Sequence, residues 1–151
     1  MLFRSLARLA TGFLSNTLLA VRPGVKGAMS SKDIAWTEKN SLPEVSTPLC
    51  YQGRLYLVKH LGILSCLDAK TGKLHFRQRL GAGGMYYASP VAGDGKVYVP
   101  SLRGVVVVLK ASDKLEVLAR NDLGEAIGAT PAALDGVLYV RTDRHLYAFK
   151  E

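Results

Sequence analysis

The sequence predicts an all-β repeat protein, and three observations carry that prediction. A Ser/Thr-Pro dipeptide recurs at intervals of 42 and 41 residues, at Thr47-Pro48, Ser89-Pro90 and Thr130-Pro131. At fixed offsets after each dipeptide come a glycine and then a tyrosine, namely Gly53 and Tyr56, Gly95 and Tyr98, and Gly136 and Tyr139. The apolar residues between these anchors fall into short runs separated by turn residues, which is typical of antiparallel strands joined by tight turns.

Each repeat has room for four antiparallel strands, which is the size of one propeller blade. Two complete blades are expected at residues 46–87 and 88–128, with strands at 46–51, 54–59, 63–68 and 73–79, and then at 88–93, 96–101, 104–110 and 114–120. A last unit, 129–151, has strands at 129–134, 137–142 and 145–150 but lacks the fourth. The predicted fold is therefore all-β: a partial β-propeller of about three four-stranded antiparallel blades, with incomplete first and last blades.

The residues before position 46 are interpreted as a further partial blade, 17–45. Here "NTLLAVRPG" aligns with "GILSCLDAK", so 17–22 is expected to be a third strand, and "DIAWTE" a fourth strand after an unusually long connection. Residues 1–16 match no strand of the repeat and carry Arg4 and Arg8 without any acid. They are either a targeting segment or the truncated start of the array, forming a loose amphipathic helix. The segment is too short and too interrupted to span a bilayer, and no transmembrane segment is expected.

Composition agrees with a folded domain and argues against one class of partner. The chain has 151 residues, of which 48% are hydrophobic and 21% charged, a balance typical of globular proteins. Half of the net charge of +8 lies in the first 33 residues, so the repeat region is only mildly basic. No dense Lys/Arg patch with interleaved aromatic residues is present, and nucleic acid is therefore not predicted as a partner.

The stretch "LDAKTGKLHF" at 67–76 is interpreted as the turn between the third and fourth strands of the first complete blade. The carboxylate of Asp68 can accept hydrogen bonds from backbone N–H groups two or three residues further on, and Gly72 can adopt a positive φ that closes the turn. Phe76 then lies on the outer strand, where it can pack against the neighbouring blade. A turn explains each of these residues, and a catalytic loop is not needed.

The same residues resemble the tryptophan-docking repeat of the PQQ-like, or quinoprotein-like, β-propellers. The family pattern is Ala-x-Asp-x-x-Thr-Gly-Lys-x-x-Trp, and the corresponding residues of this chain are Cys66, Asp68, Thr71, Gly72, Lys73 and Phe76. Trp36 falls in the docking position of the preceding partial blade. The resemblance covers about residues 17–151, although the second complete unit departs from it, with Lys110 where the family has aspartate.

The resemblance implies a choice between two kinds of protein. Quinoprotein dehydrogenases bind a quinone cofactor at the propeller centre with adjacent cysteines, a stacking tryptophan and acidic calcium ligands. This sequence has no adjacent cysteines, and Trp36 fits the docking position, so no cofactor is expected. The non-catalytic members are similar to the bacterial outer-membrane assembly lipoprotein. They are binding and scaffolding modules, which implies a periplasmic or secreted location.

No catalytic or metal-binding constellation is predicted. The histidines, at positions 60, 75 and 145, have no ligand spacing, and Ser89 and Thr130 precede prolines at strand starts. The "GAGG" at 81–84 precedes a strand rather than a helix, which argues against a dinucleotide loop. Cys50 and Cys66 lie on strands separated by a third strand, about 9.5 Å apart, so two free thiols serving as core packing are expected.

A candidate binding rim is predicted where the second-to-third-strand turns meet the connections between blades. Its residues are Lys59, His60, Tyr86, Tyr87, Arg103, Arg144 and His145. A basic rim with two aromatic residues suits an acidic peptide, a glycan or another polyanion. The alternative is that these turn residues are simply solvated and that Tyr87 packs inward.

Three functions follow. The first is a non-enzymatic module for protein binding or scaffolding, in a larger propeller or in a ring that a second copy completes. The second is a fragment of a PQQ-dependent oxidoreductase whose active site lies in blades outside this sequence. The third is a truncated product without a function of its own. Open sheet edges, which invite association, make a homo-oligomer one way to close the ring.

Overall fold

The computed structural model describes residues 2–10, 13–24, 27–28 and 30–150, and it folds them into four antiparallel sheets. The first sheet contains β1 (Leu2–Ala10), β2 (Phe13–Val21) and β3 (Ile34–Glu38), with a short 3-10 helix at Ser31–Asp33. The second contains β4 (Leu49–Tyr51), β5 (Arg54–Val58), β6 (Ile63–Asp68) and β7 (Leu74–Arg79). The third contains β8 (Val91–Gly93), β9 (Lys96–Pro100), β10 (Val105–Lys110) and β11 (Val117–Asp122). The fourth contains β12 (Ala132–Leu134), β13 (Val137–Arg141) and β14 (Leu146–Lys150).

The predicted all-β partial propeller is confirmed. Consecutive strands are neighbours in every sheet, and the second and third sheets each have the four strands expected of a blade. Among the described residues there is no α-helix, and none of the helical segments is long and apolar enough to cross a membrane.

Four strands begin three residues later than predicted, for two local reasons. The first strand of each unit is three residues long and begins only after the Ser/Thr-Pro dipeptide, at Leu49, Val91 and Ala132. Proline has no N–H to donate to a strand ladder, so pairing starts one residue later. In the third sheet, β11 begins three residues later than expected. The hydroxyl of Ser112 hydrogen-bonds the carbonyl of Lys114 and the carboxylate of Glu116, and this extends the turn.

The first sheet has one strand more than the sequence suggested. β1 pairs antiparallel with β2 from Leu2↔Val21 to Ala10↔Phe13, so residues 2–10 are extended and not the expected amphipathic helix. β2 is also longer than the predicted strand at 17–22. It is the counterpart of the central strands β6 and β10, each of which is paired on both edges, and β1 supplies the second partner. A targeting role for residues 1–16 stays a prediction.

The apolar core lies between successive sheets. Neighbouring residues of a strand face opposite sides of the sheet. On β5, Leu55 therefore packs toward the first sheet and Tyr56 toward the third. Because both faces of β5 are covered, its sequence is a continuous apolar run. The cluster between the second and third sheets has eleven buried residues, including Phe76, Val99 and Leu109. The cluster between the third and fourth sheets has only four, namely Val106, Val108, Ile127 and Val140. Among the described residues, the third and fourth sheets therefore bury fewer apolar side chains between them than the second and third sheets do.

Candidate functional site

The candidate site is one face of the molecule, here called the loop face. It is formed by the turns at 59–62, 101–104 and 142–145 and by the connections between sheets. Backbone hydrogen bonds tie these segments together, from Tyr86 N to the His60 carbonyl at 2.9 Å and from Leu102 N to the Met85 carbonyl at 2.8 Å. Gly104 has φ +91°, and a Cβ at this position would collide with the Glu125 carbonyl. Only glycine lets the connection lie this close to the turn.

Acidic residues from the connections neutralise part of the predicted basic rim. His60 Nδ1 lies 2.9 Å from a carboxylate oxygen of Glu44. His145 Nδ1 lies 2.8 Å, and Arg144 Nε 3.4 Å, from the same oxygen of Glu125. These three bases therefore have carboxylate partners within the protein, and less positive charge is left for an acidic ligand than the sequence alone suggested.

The two carboxylates are held in the charged form. The hydroxyl of buried Thr142 donates to Glu125 at 2.6 Å, and this hydrogen bond is the largest cause of a lowered pKa at Glu125. Burial opposes the shift, and contacts from His145 and the Arg144 N–H add to it. At Glu44, burial raises the pKa, but hydrogen bonds from the side chain and backbone of His60 outweigh it, so the pKa is lowered overall. Both acids are ionised at neutral pH.

Arg103 differs from His60, Arg144 and His145 in its surroundings. It is exposed, and no carboxylate of the described residues lies within 4.0 Å of its guanidinium. Its side chain lies over the backbone of Gly83 and Gly84, where a Cβ at Gly84 would come within 2.7 Å of Arg103 Cγ. The glycine pair thus supports the arginine stem, while the guanidinium stays available. Lys59, the remaining base of the predicted rim, is half-buried.

The two tyrosines of the predicted rim have different environments. Tyr86 is only 1% exposed and belongs to the core cluster between the second and third sheets, with its ring packed over Gly62. Burial raises the pKa of its hydroxyl, so Tyr86 is a core residue and not a surface contact. Tyr87 is 39% exposed and its hydroxyl donates to Met85 Sδ at 3.5 Å. Tyr87 therefore remains on the loop face, and the inward packing considered as the alternative does not occur.

Sequence reasoning identified Tyr87 but missed the other exposed apolar residues of this face. Four exposed side chains flank His60 or the connection that bonds to it, and together they are called the apolar loop patch: Val45, Leu61, Met85 and Tyr87. They are between 39% and 63% exposed. Apolar residues within predicted turns could have indicated this patch from the sequence. Loop segments are normally polar, and exposed apolar clusters often mark interaction sites.

The docking positions lie between the sheets and away from the loop face. The indole of Trp36 packs on Gly72, and its Nε1–H donates to the Ala69 carbonyl at 3.2 Å. The carboxylate of Asp68 accepts hydrogen bonds from the N–H groups of Lys70 and Thr71 and from the Thr71 hydroxyl, between 2.7 and 3.1 Å. Phe76 is buried in the next interface. Trp36 and Phe76 therefore join neighbouring sheets, whereas Asp68 holds the β6–β7 turn on which Trp36 packs.

The remaining candidate residues form no reactive centre. His75 Nε2 lies 3.8 Å from Asp113, which also pairs with Arg54 Nε at 2.7 Å. In the part of the chain that is described, no group of three or more His, Cys, Asp or Glu side chains is placed to hold a metal ion. Both cysteines are free, but only Cys66 is buried; Cys50 is exposed, so the expectation that both are core residues was wrong for Cys50.

Comparisons with known proteins agree on the fold. A family model described as outer membrane protein assembly factor BamB matches residues 62–151. A search of curated proteins finds no significant match. Among solved structures, BamB from Moraxella catarrhalis is similar with a TM-score of 0.70 and 17% identity, covering 91% of this chain and 42% of that protein.

Two quinoprotein enzymes show weaker similarity. A europium-containing methanol dehydrogenase has a TM-score of 0.54 and 15% identity, over 78% of this chain and 27% of the enzyme. A quinohemoprotein alcohol dehydrogenase from Pseudomonas putida HK5 has a TM-score of 0.54 and 18% identity, over 70% and 19%. At these identities the matches show a shared fold. The chain spans less than half the length of each of the three structures.

Proposed function

The chain belongs to the family of the outer membrane protein assembly factor BamB, a family of PQQ-like β-propellers, and from that premise we propose that it is a non-enzymatic module that binds or scaffolds a protein partner. The family name also supports a bacterial periplasmic or secreted location. The chain covers less than half of the similar BamB structure, so the module is proposed to work within a larger or oligomer-completed propeller.

The observation that carries the proposal is the composition of the loop face. The apolar loop patch adjoins Arg103, because Met85 accepts a hydrogen bond from Leu102 N and follows the glycines on which Arg103 packs. The Arg103 guanidinium has no carboxylate partner among the described residues. Tyrosine, methionine and arginine are enriched in protein interfaces, and tyrosine and arginine often contribute most of the binding energy. Because Glu44 and Glu125 already pair with His60, Arg144 and His145, a protein surface with an apolar centre and one acidic group fits this face better than a polyanion.

Site-specific photo-crosslinking in cells that produce the full protein tests this proposal. A benzophenone amino acid at position 61 or 87 is expected to give discrete adducts with a protein partner. The same group at Lys70, in an exposed turn between β6 and β7, should give none. Arg103→Glu should reduce the adducts at least about tenfold, since one charge reversal at an interface centre costs more than 1.4 kcal/mol.

A matched charge reversal separates local binding from a general change of charge. Lys70→Glu reverses a charge in the exposed turn between β6 and β7, away from the loop face, and should leave the adducts unchanged. Adducts of equal yield at positions 61, 70 and 87, or adducts that survive Arg103→Glu, would show that the loop face is not the binding surface.

A second candidate function has the similarity to quinoprotein dehydrogenases in its favour. In that case the chain would be part of an oxidoreductase with its active site in other blades. Titration of the full protein, rather than of this chain alone, with the quinone cofactor and calcium separates the two functions, because the second candidate places the active site in other blades. Stoichiometric binding seen by absorbance would favour the oxidoreductase, and absence of binding at micromolar cofactor would favour the protein-binding module.

Completion of the ring by a second copy is also proposed. β14 is paired on one edge only among the described strands, and unpaired edges favour association. Light scattering of the purified chain, combined with a thermal melt, tests this idea. A discrete dimer with a cooperative melt supports ring closure between two copies, whereas a monodisperse monomer would contradict it.

A further inference from the structure

One residue position is filled differently in each of the three interfaces between sheets. Trp36, Phe76 and Ala119 lie opposite Ala20, Cys66 and Val108, on the outermost strands β3, β7 and β11. Ala20, Cys66 and Val108 lie on the central strands β2, β6 and β10. In each case the register between the central and the outermost strand shifts immediately after this residue. The three residues are therefore equivalent, and each faces the following sheet.

The interface that carries alanine contains a cavity. Trp36 packs on Gly72 in the first interface, and Phe76 is buried in the second. Between the third and fourth sheets, where Ala119 has no ring, a cavity of about 680 Å³ is present. Its walls come from both sheets and are mainly apolar, with side chains of Tyr98, Val106, Val108, Leu138, Val140 and Phe149.

The cavity is open to solvent, and polar residues are a minority of its lining. Leu118 and Leu134, which also line it, are 53% and 62% exposed. The polar lining residues come largely from the hairpins of β8–β9 and β12–β13 and from the end of β14: Asp94, Lys96, Asn121, Asp135 and Lys150. A largely apolar cleft of this volume with a few polar groups is typical of small-ligand sites, which have about 300–1,000 Å³.

We propose that this cavity is a binding site for a planar aromatic group of indole or phenyl size. Two equivalent positions of the same chain hold an indole and a phenyl ring, so the geometry of the sheets already accommodates such rings. The rings of Tyr98 and Phe149 in the walls offer edge-to-face or offset-stacked contacts. The ring is carried either by a small molecule or by an exposed aromatic side chain of a peptide. The proposal is independent of the loop face, which lies at the turns and connections.

Methyl NMR with indole as the probe tests the site in the intact chain. Indole should shift the methyl signals of Val106, Val108, Leu138 and Val140 with a dissociation constant of about 1 mM, the strength usual for a fragment of this size. Val97, Val99 and Val107, in the filled interface between the second and third sheets, are the internal control and should not move. A capped Gly-Trp-Gly peptide, compared with Gly-Leu-Gly, then shows whether a side chain can supply the ring.

A substitution that fills the cavity completes the test. Ala119→Trp restores a docking residue and should weaken indole binding at least tenfold while raising Tm. Gln78→Trp adds the same residue at an exposed position of β7 and should leave indole binding unchanged. Ala119→Phe replaces the tryptophan variant if that variant does not fold.

Three results would overturn the proposal: no methyl shifts at saturating indole, equal shifts in the cavity and control sets, or unchanged binding in the filled variant. Binding of indole without the tryptophan peptide would assign the site to small molecules. Binding of both would extend it to side chains.

Discussion

The backbone N–H of Thr47 donates a hydrogen bond to Ser89 Oγ at 2.8 Å, and the N–H of Ser89 donates in turn to Thr130 Oγ1 at 3.0 Å. The partners are one repeat apart, so the two bonds form a line across three sheets. Each donor precedes a proline, where strand pairing has not yet begun, and its N–H has no partner within its own sheet. The hydroxyl of the next repeat satisfies it. This explains the hydroxyl side chains at positions 89 and 130, each of which accepts a bond from the preceding repeat.

Replacing Ser89 by alanine removes the acceptor of the Thr47 N–H and should lower the free energy of unfolding by about 1 kcal/mol, the net value of one hydrogen bond. Urea denaturation followed by circular dichroism measures the change. Ser89→Thr keeps the hydroxyl, as the sister repeats do, and should unfold within about 0.5 kcal/mol of the wild type. Equal stability of the alanine and threonine variants would show that the line of hydrogen bonds does not stabilise the sheets.

Much of the fold could be predicted because the same turn-forming residues recur at the same positions of each repeat. The spacing of Ser/Thr-Pro, glycine and tyrosine placed the strands of the two complete sheets to within about three residues. The docking position of Trp36 followed from alignment with the unit around Asp68, because the same turn chemistry recurs at the same offset.

Other features depend on contacts between repeats and could not be predicted from local pattern. β1 has none of the residues that mark the repeat, so its pairing with β2 could not be recognised from the repeat pattern. Glu44 and Glu125 lie in connections of different length, so no shared offset pointed to their histidine partners. Burial of Tyr86, but not of Tyr87, depends on the space above Gly62. The cavity lies beside Ala119, at the position that a ring occupies in the other two interfaces, and only comparison of the three interfaces reveals this difference.

Gly72→Ala should destabilise the protein more than Gly53→Ala. Both glycines have φ near +75°, so alanine at either position costs about 1 kcal/mol of backbone strain. A Cβ at Gly72 would also lie 2.6 Å from Trp36 Cδ2, whereas one at Gly53 meets nothing within 4 Å. Displacing the indole should add about 1–2 kcal/mol and break its bond to the Ala69 carbonyl.

Urea denaturation compares the stability of the two glycine variants. Tryptophan fluorescence reports directly on the packing of Trp36 against Gly72, since Trp36 is the single tryptophan of the chain. Emission should shift to the red in Gly72→Ala and stay unchanged in Gly53→Ala. Equal free energies of unfolding with unshifted emission in both variants would show that the indole does not depend on the glycine.

Glu125 should make the stability of the fourth sheet sensitive to acid. The pKa of its carboxyl is lowered below the ordinary 4.5, chiefly by the Thr142 hydroxyl. A folded-state pKa below the unfolded one contributes stability that is complete above about pH 4.5 and is lost as pH falls through the folded value. Glu125→Gln should therefore be less stable than the wild type at about pH 6, with a difference that shrinks at about pH 3.5.

Urea midpoints at the two pH values, for the wild type and for Glu125→Gln, test this expectation. Thr142→Val removes the hydroxyl that lowers the pKa most and should change the pH dependence in the same direction. Glu44 keeps its own lowered pKa in both variants, so part of the acid sensitivity should remain. A difference between wild type and Glu125→Gln that is the same at both pH values would contradict the assignment.

The two cysteines should react with thiol reagents at very different rates. Cys50 is exposed, whereas Cys66 is fully buried and burial raises the pKa of its thiol to about 11. Because the thiolate is the reactive form, Cys66 needs both access and a lower pKa before it can react.

A chromogenic disulfide reagent should therefore consume one equivalent of thiol rapidly in the native protein and a second only as fast as the sheets separate. Cys50→Ser should abolish the rapid phase and leave the slow one, and addition of urea should merge the two phases in the wild type. Two rapid equivalents in native buffer would mean that the interface between the second and third sheets opens freely.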